Sequence, residues 1–108
     1  MILPNAAHAV IPPEKLRDYL LNPDHPENGG KARVFAALGY TAANWEELAE
    51  DLRQQHVSLD AEEQLHPFWT RYIIAGRLQG PKGSANIRSV WQIDSGSQIP
   101  RLITAYPT

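Results

Sequence analysis

The feature that most constrains the fold of this chain is a change in the spacing of its apolar residues near Trp69. Before Trp69, apolar residues recur three to four positions apart, as on one face of a helix. After it, they alternate with polar residues, as in strands with one buried face. Helices followed by a run of strands are typical of an α+β domain. We therefore predict an α+β fold with about three N-terminal helices packed on a small antiparallel β-meander of three to four strands.

Three helices are predicted in the first half. The first begins at the Pro12-Pro13 pair, because proline is tolerated in a first turn, the second covers 31–38 and the third covers 41–55. The residues expected to face the core are Leu16, Leu20 and Leu21, then Val34, Phe35 and Leu38, then Trp45, Leu48 and Leu52. Gly39 is placed for a left-handed C-terminal cap, and Asn44 with Glu47 forms a capping-box pattern.

Three consecutive strands are predicted in the second half, at 69–78, 86–93 and 99–106, joined by short turns in an antiparallel meander. Residues 1–4 read as a short edge strand, and residues 56–67 as a polar loop with about a turn of helix.

Strand alternation predicts which side chains of these strands share a face. It places Ser89 with Trp91 and opposite to Arg88, and Thr104 with Tyr106 and opposite to Arg101. The register between strands is left open by the sequence, so the face that Thr104 shares with the second strand is also left open.

Composition predicts one domain, 1–108, that needs no cofactor or metal to fold. The chain of 108 residues has no cysteine, 43% hydrophobic and 20% charged residues, and a domain of this size buries enough surface to be stable. It contains no apolar run long enough to cross a membrane and no signal-peptide pattern. Its four histidines are too widely spaced for a metal-binding pair. We expect a cytoplasmic protein with no metal site.

Charge is unevenly distributed around a net value of −2. Residues 41–66 carry seven acids against one base, whereas residues 67–108 carry five bases against one acid. A basic second half is able to orient an anionic partner such as RNA. The alternative is that the acidic and basic halves attract each other.

Two groups of residues are candidates for a functional site. Lys31 and Arg33 follow Gly29-Gly30 at a helix N-terminus, where backbone N–H groups attract anions; the alternative is an ordinary loop with solvated basic residues. The second group consists of polar residues in otherwise apolar strands, which cost free energy unless paired. Its members are Arg88, Ser89, Arg101, Thr104 and Tyr106. The alternative for these is cross-strand hydrogen bonding and surface ion pairing.

Several runs of the sequence resemble one bacterial family, the domain of unknown function DUF6883. The runs are LRDYLLNPDHP at 16–26, KARVF at 31–35, LG at 38–39, RSVW at 88–91 and PRLITAY at 100–106. The family's layout is in turn similar to the class of ribonuclease toxins that includes barnase, EndoU, colicin and RelE-type domains. The chain departs from the family pattern at Asn28-Gly29-Gly30, where members commonly have a basic run with a histidine. His25 replaces that histidine only if its loop folds back.

Two hypotheses of different kinds follow. In the first, the toxin resemblance implies RNA cleavage by 2′-hydroxyl attack. Its catalytic residues would be His25, Lys31, Arg88 and Tyr106, and its substrate-binding residues Arg33, Ser89, Arg101 and Thr104. In the second, the missing histidine and the net acidic charge favour a non-catalytic interaction module. Its partner would be a second copy in a homodimer or the product of a neighbouring gene.

Overall fold

The computed structural model describes residues 1–27 and 29–108, so the predicted loop position Asn28 lies outside the described residues. The helical segments are a 3-10 turn at Ala6–His8, a π-helix at Lys15–Leu20, α1 at Gly29–Ala37, a 3-10 turn at Ala42–Asn44 and α2 at Trp45–Gln55. The strands are β1 at Ala61–His66, β2 at Trp69–Gln79, β3 at Ser84–Asp94 and β4 at Arg101–Pro107. None of the described helices is long and apolar enough to span a membrane.

The four strands form one antiparallel sheet in the order β1-β2-β3-β4. This confirms the α+β class and the meander. β1 corrects the prediction for 56–67, where we expected a loop. Five of its six residues are exposed, because β1 is an edge strand that lies beyond most of the helical layer. Its sequence therefore has no apolar alternation, and only the pairing of its backbone with β2 identifies it as a strand.

The N-terminal segment contributes two isolated bridges to the sheet. Residues 1–4 were predicted to form an edge strand, but only Ile2 pairs, with Asp60. Further along, Val10 bridges to Arg101 in parallel and exchanges backbone hydrogen bonds with Pro100 and Leu102 at 2.8 and 2.9 Å. The helices thus precede the sheet only in part, because the chain touches both edges of the sheet before it enters the π-helix.

The helices cover one face of the sheet, which we call the inner face. The fully buried side chains at this contact are Leu16, Leu20, Phe35, Leu48 and Leu52 from the helices and Ile74, Leu78, Ile87, Trp91 and Leu102 from the strands. The predicted apolar helix faces at Leu16–Leu21 and at Leu48 and Leu52 are confirmed. Burial of these aliphatic and aromatic groups contributes about 1.5–3 kcal/mol for each large side chain.

Local geometry differs from the prediction in two helices. The first is a π-helix, in which the Leu21 N–H donates to the Leu16 carbonyl at 2.8 Å. The third divides into a 3-10 turn and α2. Asn44 precedes α2 without a side-chain bond to the helix backbone; its amide donates to the Glu47 carboxylate at 3.2 Å. The predicted left-handed cap at Gly39 is confirmed by its φ of 100°.

The register decides which strand residues share a face. Ser89 lies opposite Ala105 on the inner face, whereas Arg88 lies opposite Tyr106 on the other, outer face. A bulge between these strands places Val90 opposite Thr104 but Trp91 opposite Leu102. Arg101, opposite Gln92, therefore shares the outer face with Thr104. Our expectation that Arg101 and Thr104 face opposite ways is wrong, because the bulge inserts one residue between them.

Candidate functional site

Lys31 is the centre of a group of polar and aromatic side chains at edge strand β4. Its ammonium nitrogen Nζ donates to Thr104 Oγ1 at 3.2 Å and to the Tyr19 hydroxyl at 3.4 Å. The same nitrogen lies 5.5 Å from the centroid of the Tyr19 ring and 6.0 Å from that of Tyr106. Both distances are within the range of cation–π attraction. Lys31, Tyr19, Thr104, Tyr106 and His25 are called the lysine cluster below.

Three separate elements position this cluster. Lys31 lies in the first turn of α1, and Tyr19 lies in the π-helix, which packs against β4. Thr104 and Tyr106 are two residues apart in β4 and therefore share its outer face. All four side chains are half-buried. The lysine is held in place by fixed oxygens and rings while part of its surface reaches solvent.

His25 joins the cluster through the loop that follows the π-helix. Asn22 shapes this loop, since its side-chain oxygen accepts the Asp24 N–H at 3.0 Å in an Asx turn. The His25 ring then packs edge-on against Tyr19, with 4.9 Å between the ring centroids. Its Nδ1 accepts the Glu27 N–H at 3.2 Å, so the neutral ring carries its proton on Nε2. The His25 ring thus contacts Tyr19, the residue that also contacts Lys31.

In the part of the chain that the structure describes, no carboxylate pairs with the positive charge of the lysine cluster. Among residues 1–27 and 29–108, the ion pairs are Met1 with Asp60, Arg17 with Asp18, and Arg101 with Asp94. The partners of Lys31 are neutral oxygens and aromatic rings. Lys15 adds a second ammonium, 5.5 Å from the Tyr19 ring centroid. A bound anion would supply the charge that the described neighbours do not.

Ser89 lies apart from this cluster, inside the core. Its hydroxyl lies 2.8 Å from His56 Nδ1 and accepts the Trp91 Nε1–H at 2.9 Å. His56 Nε2 lies 3.1 Å from the Gly76 carbonyl, which can only accept, so Nε2 carries the proton. Nδ1 then accepts from the Ser89 hydroxyl. His56, Ser89 and Trp91, the core triad, are all 0% exposed.

Burial also determines the protonation of the core triad. It lowers the pKa of the His56 imidazole, and the hydrogen bond to the Gly76 carbonyl opposes this shift only in part. A second proton on the ring would convert Nδ1 from an acceptor into a donor and disrupt its bond with Ser89. The neutral, Nε2-protonated ring is therefore the form that fits the core. The Ser89 hydroxyl therefore makes both of these hydrogen bonds inside the core, and its role is structural.

Of the three remaining predicted residues, Arg33 and Arg101 also lie outside the contacts of Lys31. Arg33 is exposed on α1 and borders a mostly apolar cavity of about 360 Å³ with Leu21, Tyr40 and Ala43. Arg101 pairs with Asp94 at 2.9 Å. The structure thus brings Lys31, Thr104 and Tyr106 together, connects His25 to Lys31 only through Tyr19, and places Arg88 opposite Tyr106. Ser89, Arg33 and Arg101 lie elsewhere.

Sequence reasoning missed Tyr19 and Lys15 as members of this site. Both lie in the π-helix, four positions apart, so they share one side of it. The signal was present: Tyr19 lies beside the apolar positions Leu16 and Leu20 but carries a hydroxyl, and a lysine precedes it by one turn. Within residues 1–27 and 29–108, no three His, Asp or Glu side chains are grouped for a metal ion.

Comparison with known proteins identifies a family. The model of the family described as "Domain of unknown function (DUF6883)" matches residues 2–108. This match covers nearly the whole chain, so the chain belongs to the DUF6883 family, as the sequence runs indicated. No curated protein and no solved structure matches it.

Proposed function

We propose that this member of the DUF6883 family binds single-stranded RNA at the lysine cluster and cleaves it by attack of a ribose 2′-hydroxyl on the adjacent phosphate. The observation that carries the proposal is the placement of Lys31. A half-buried ammonium group, held by Thr104 and Tyr19 and without a carboxylate among its described contacts, is suited to a phosphate oxygen. The basic C-terminal half of the chain agrees with an anionic substrate.

Each residue of the cluster has a role in this reaction. Lys31 stabilises the negative charge that develops on the phosphate oxygens, and Arg88, opposite Tyr106, supplies a second cation. His25 moves protons, because an imidazole can both accept and donate a proton. Thr104 and the Tyr106 hydroxyl orient the ribose and phosphate. Tyr19 holds both Lys31 and His25 in position.

The reaction itself is a transesterification in which atoms balance within the RNA. A base, His25 in this proposal, releases the Glu27 N–H from its Nδ1 and takes up there the proton of the 2′-hydroxyl as the 2′-oxygen forms a bond to phosphorus. The bond between phosphorus and the 5′-oxygen then breaks, and the leaving oxygen takes a proton from the imidazolium, which returns His25 to its neutral form. The products are a 2′,3′-cyclic phosphate and a 5′-hydroxyl. We take this reaction type from the ribonuclease toxins that the family layout resembles; no solved structure matches the chain, so the comparisons add nothing to that resemblance.

The test is cleavage of an oligouridylate by purified protein, with identification of the product ends. We expect 2′,3′-cyclic phosphate ends and no cleavage of a strand that lacks the 2′-hydroxyl at every position. Lys31→Ala should reduce the rate about 100-fold or more, because it removes the main charge stabilising the transition state.

Lys82→Ala is the matched control, since Lys82 is an exposed lysine in the β2–β3 turn. It should cleave at the wild-type rate. Equal rates for Lys31→Ala and Lys82→Ala, or cleavage of the all-deoxy strand, would contradict the proposal. Melting curves for both variants separate a loss of activity from a loss of fold.

A second candidate function, a non-catalytic homodimeric interaction module, is favoured by one observation. Leu65 in β1 is 79% exposed, and Phe68 in the turn between β1 and β2 is 72% exposed. Exposed apolar side chains of this size are found at protein–protein contacts. Light scattering on wild type and on Leu65→Ser with Phe68→Ser tests this candidate. A wild-type dimer that becomes a monomer in the double variant supports it, and a wild-type monomer at all concentrations rejects it.

A further inference from the structure

Two exposed arginines continue the positive charge of the lysine cluster across the outer face of the sheet. Arg88 of β3 pairs with Tyr106 on one side and with Ala75 of β2 on the other. Arg77 lies two residues beyond Ala75 and therefore on the same face. The Cβ atoms of such diagonal neighbours are about 7–8 Å apart. Lys31, Arg88 and Arg77 thus form a row from β4 to β2, which we call the cation row.

The charges of this row are not compensated within the described structure. Neither Arg77 nor Arg88 lies within salt-bridge distance of a carboxylate in residues 1–27 and 29–108. Two like charges on neighbouring strands repel each other and are destabilising unless an anion lies between them. At the opposite end of the same face, Arg101 pairs with Asp94, and Arg71 donates to Gln92 at 2.9 Å. At the end next to Lys31, no carboxylate of the described residues is within salt-bridge distance of a cation of the row, although Asp60 and Glu62 line a groove with Arg88.

The row has a defined beginning and end. It begins at Lys31, beside edge strand β4, and crosses two strand spacings of about 4.8 Å each to reach β2. Beyond β2 the same face carries Glu62 of β1, which lines a groove of about 360 Å³ together with Asp60 and Arg88. These carboxylates repel a polyanion. The cation row is therefore short: two strand spacings make it about 10 Å long from β4 to β2.

We propose that the cation row binds the phosphates next to the scissile one, so that the substrate is an RNA single strand of about four nucleotides lying from β4 to β2, at the lower end of single-strand site sizes. This inference rests on the proposed function, because it takes Lys31 as the site of the reacting phosphate. A single strand fits better than a duplex, since attack by the 2′-hydroxyl requires a backbone that can leave the A-form geometry. Binding depends on the attraction between these cations and the phosphates, so we expect no preference among the four bases.

The experiment measures binding separately from cleavage, with uncleavable 2′-O-methyl oligouridylates of two, four and twelve nucleotides. Affinity is followed by fluorescence anisotropy at several salt concentrations. We expect the affinity to rise about tenfold from two to four nucleotides, because further phosphates reach Arg88 and Arg77. From four to twelve nucleotides it should rise little more, once it is divided by the number of positions at which the longer strand can bind. Arg77→Ala should reduce the gain to about twofold and lower the salt slope by about 0.7.

Arg17→Ala is the matched control, because Arg17 is an exposed arginine paired with Asp18 on the π-helix. Arg17→Ala removes the same charge as Arg77→Ala, but it should keep the full rise in affinity from two to four nucleotides. Equal affinity for two and four nucleotides, or an equal loss in Arg17→Ala and Arg77→Ala, overturns the cation row even if wild type cleaves RNA. A gain that depends on Arg77, without any cleavage, supports the row and rejects the catalytic part of the proposed function. Preference for a duplex oligouridylate–oligoadenylate also overturns it.

Discussion

Two groups of polar side chains contact the sheet of this protein, and they differ in how completely they are satisfied. In the core triad, Ser89 bonds with both His56 and Trp91, and all three residues are 0% exposed. In the lysine cluster, Lys31 bonds with two neutral oxygens and stays half-buried, with no carboxylate among its described contacts.

This difference distinguishes polar side chains that stabilise the core from polar side chains that can bind a ligand. A buried polar group costs about 1–3 kcal/mol when unpaired, so a group that is fully buried and fully paired stabilises one particular core. A cation that is held in place by neutral groups keeps its capacity to attract an anion. Both groups contain residues that looked alike in the sequence, since Ser89 and Thr104 are each a hydroxyl residue in an apolar strand.

The largest effect is expected for Lys31→Met, which keeps the length of the side chain and removes its charge. RNA cleavage should fall about 100-fold or more. The free energy of unfolding should be unchanged or slightly higher, because an apolar chain between Tyr19 and Tyr106 replaces a charge that has no carboxylate partner among the described residues. Cleavage assays and urea unfolding measure the two effects. A large loss of stability with little change in cleavage would show that Lys31 has a structural role, and the lysine cluster would then not differ from the core triad.

Ser89→Ala should have the opposite result. It leaves His56 Nδ1 and Trp91 Nε1 without their partner in the core, so we expect a loss of about 2–3 kcal/mol in the free energy of unfolding. The cleavage rate per folded molecule should equal that of wild type. Urea unfolding, with cleavage measured well below the unfolding midpoint, tests both statements. Thr104→Ala is the matched change on the opposite face, and its effect on stability should be much smaller.

The dependence of stability on pH tests the role of His56 in the core triad. Burial lowers the pKa of His56 in the folded state below the ordinary value of about 6.5 that it has in the unfolded state. Below about pH 6.5 the unfolded chain therefore binds a proton that the folded chain does not, and the free energy of unfolding should fall as the pH is lowered. Above that pH the contribution is complete.

His56→Gln should flatten this pH dependence, because glutamine keeps a donor and an acceptor but does not titrate in this range. His66→Gln, a change at an exposed histidine in β1, should keep it. Thermal unfolding at a series of pH values between about 7.5 and 5.5 provides the measurement. An identical pH profile for wild type and His56→Gln would show that the core triad does not depend on a neutral imidazole.

Thr104→Val should have the smallest effect. It keeps the shape of the side chain and removes the oxygen that accepts from Lys31. We expect stability to change by less than about 0.5 kcal/mol, as at other partly exposed positions, and cleavage to fall about fivefold because Lys31 is less well oriented. Rescue of cleavage by Thr104→Ser, with the hydroxyl restored, would confirm the positioning role. Equal activity in Thr104→Val and wild type would contradict it.

Part of this molecule was predictable because it depends on neighbours in sequence. The apolar faces at Leu16–Leu21 and at Leu48 and Leu52, the cap at Gly39 and the alternation of Ser89 with Arg88 all follow from helix or strand period. The distribution of charge between the halves and the DUF6883 runs could also be read directly. These features determined the α+β class, the meander and the residues that were candidates for a site.

The tertiary structure alone decided which of these candidates meet. Lys31 and Thr104 are 73 positions apart, and their contact depends on how α1 packs against β4. The bulge opposite Val90 moved Arg101 to the face of Thr104, and pairing with β2 made a strand of an exposed polar segment. Register and packing arise from contacts between distant segments, so no local period encodes them. They are also the reason that Ser89 lies in the core while Lys31 remains open to an anion.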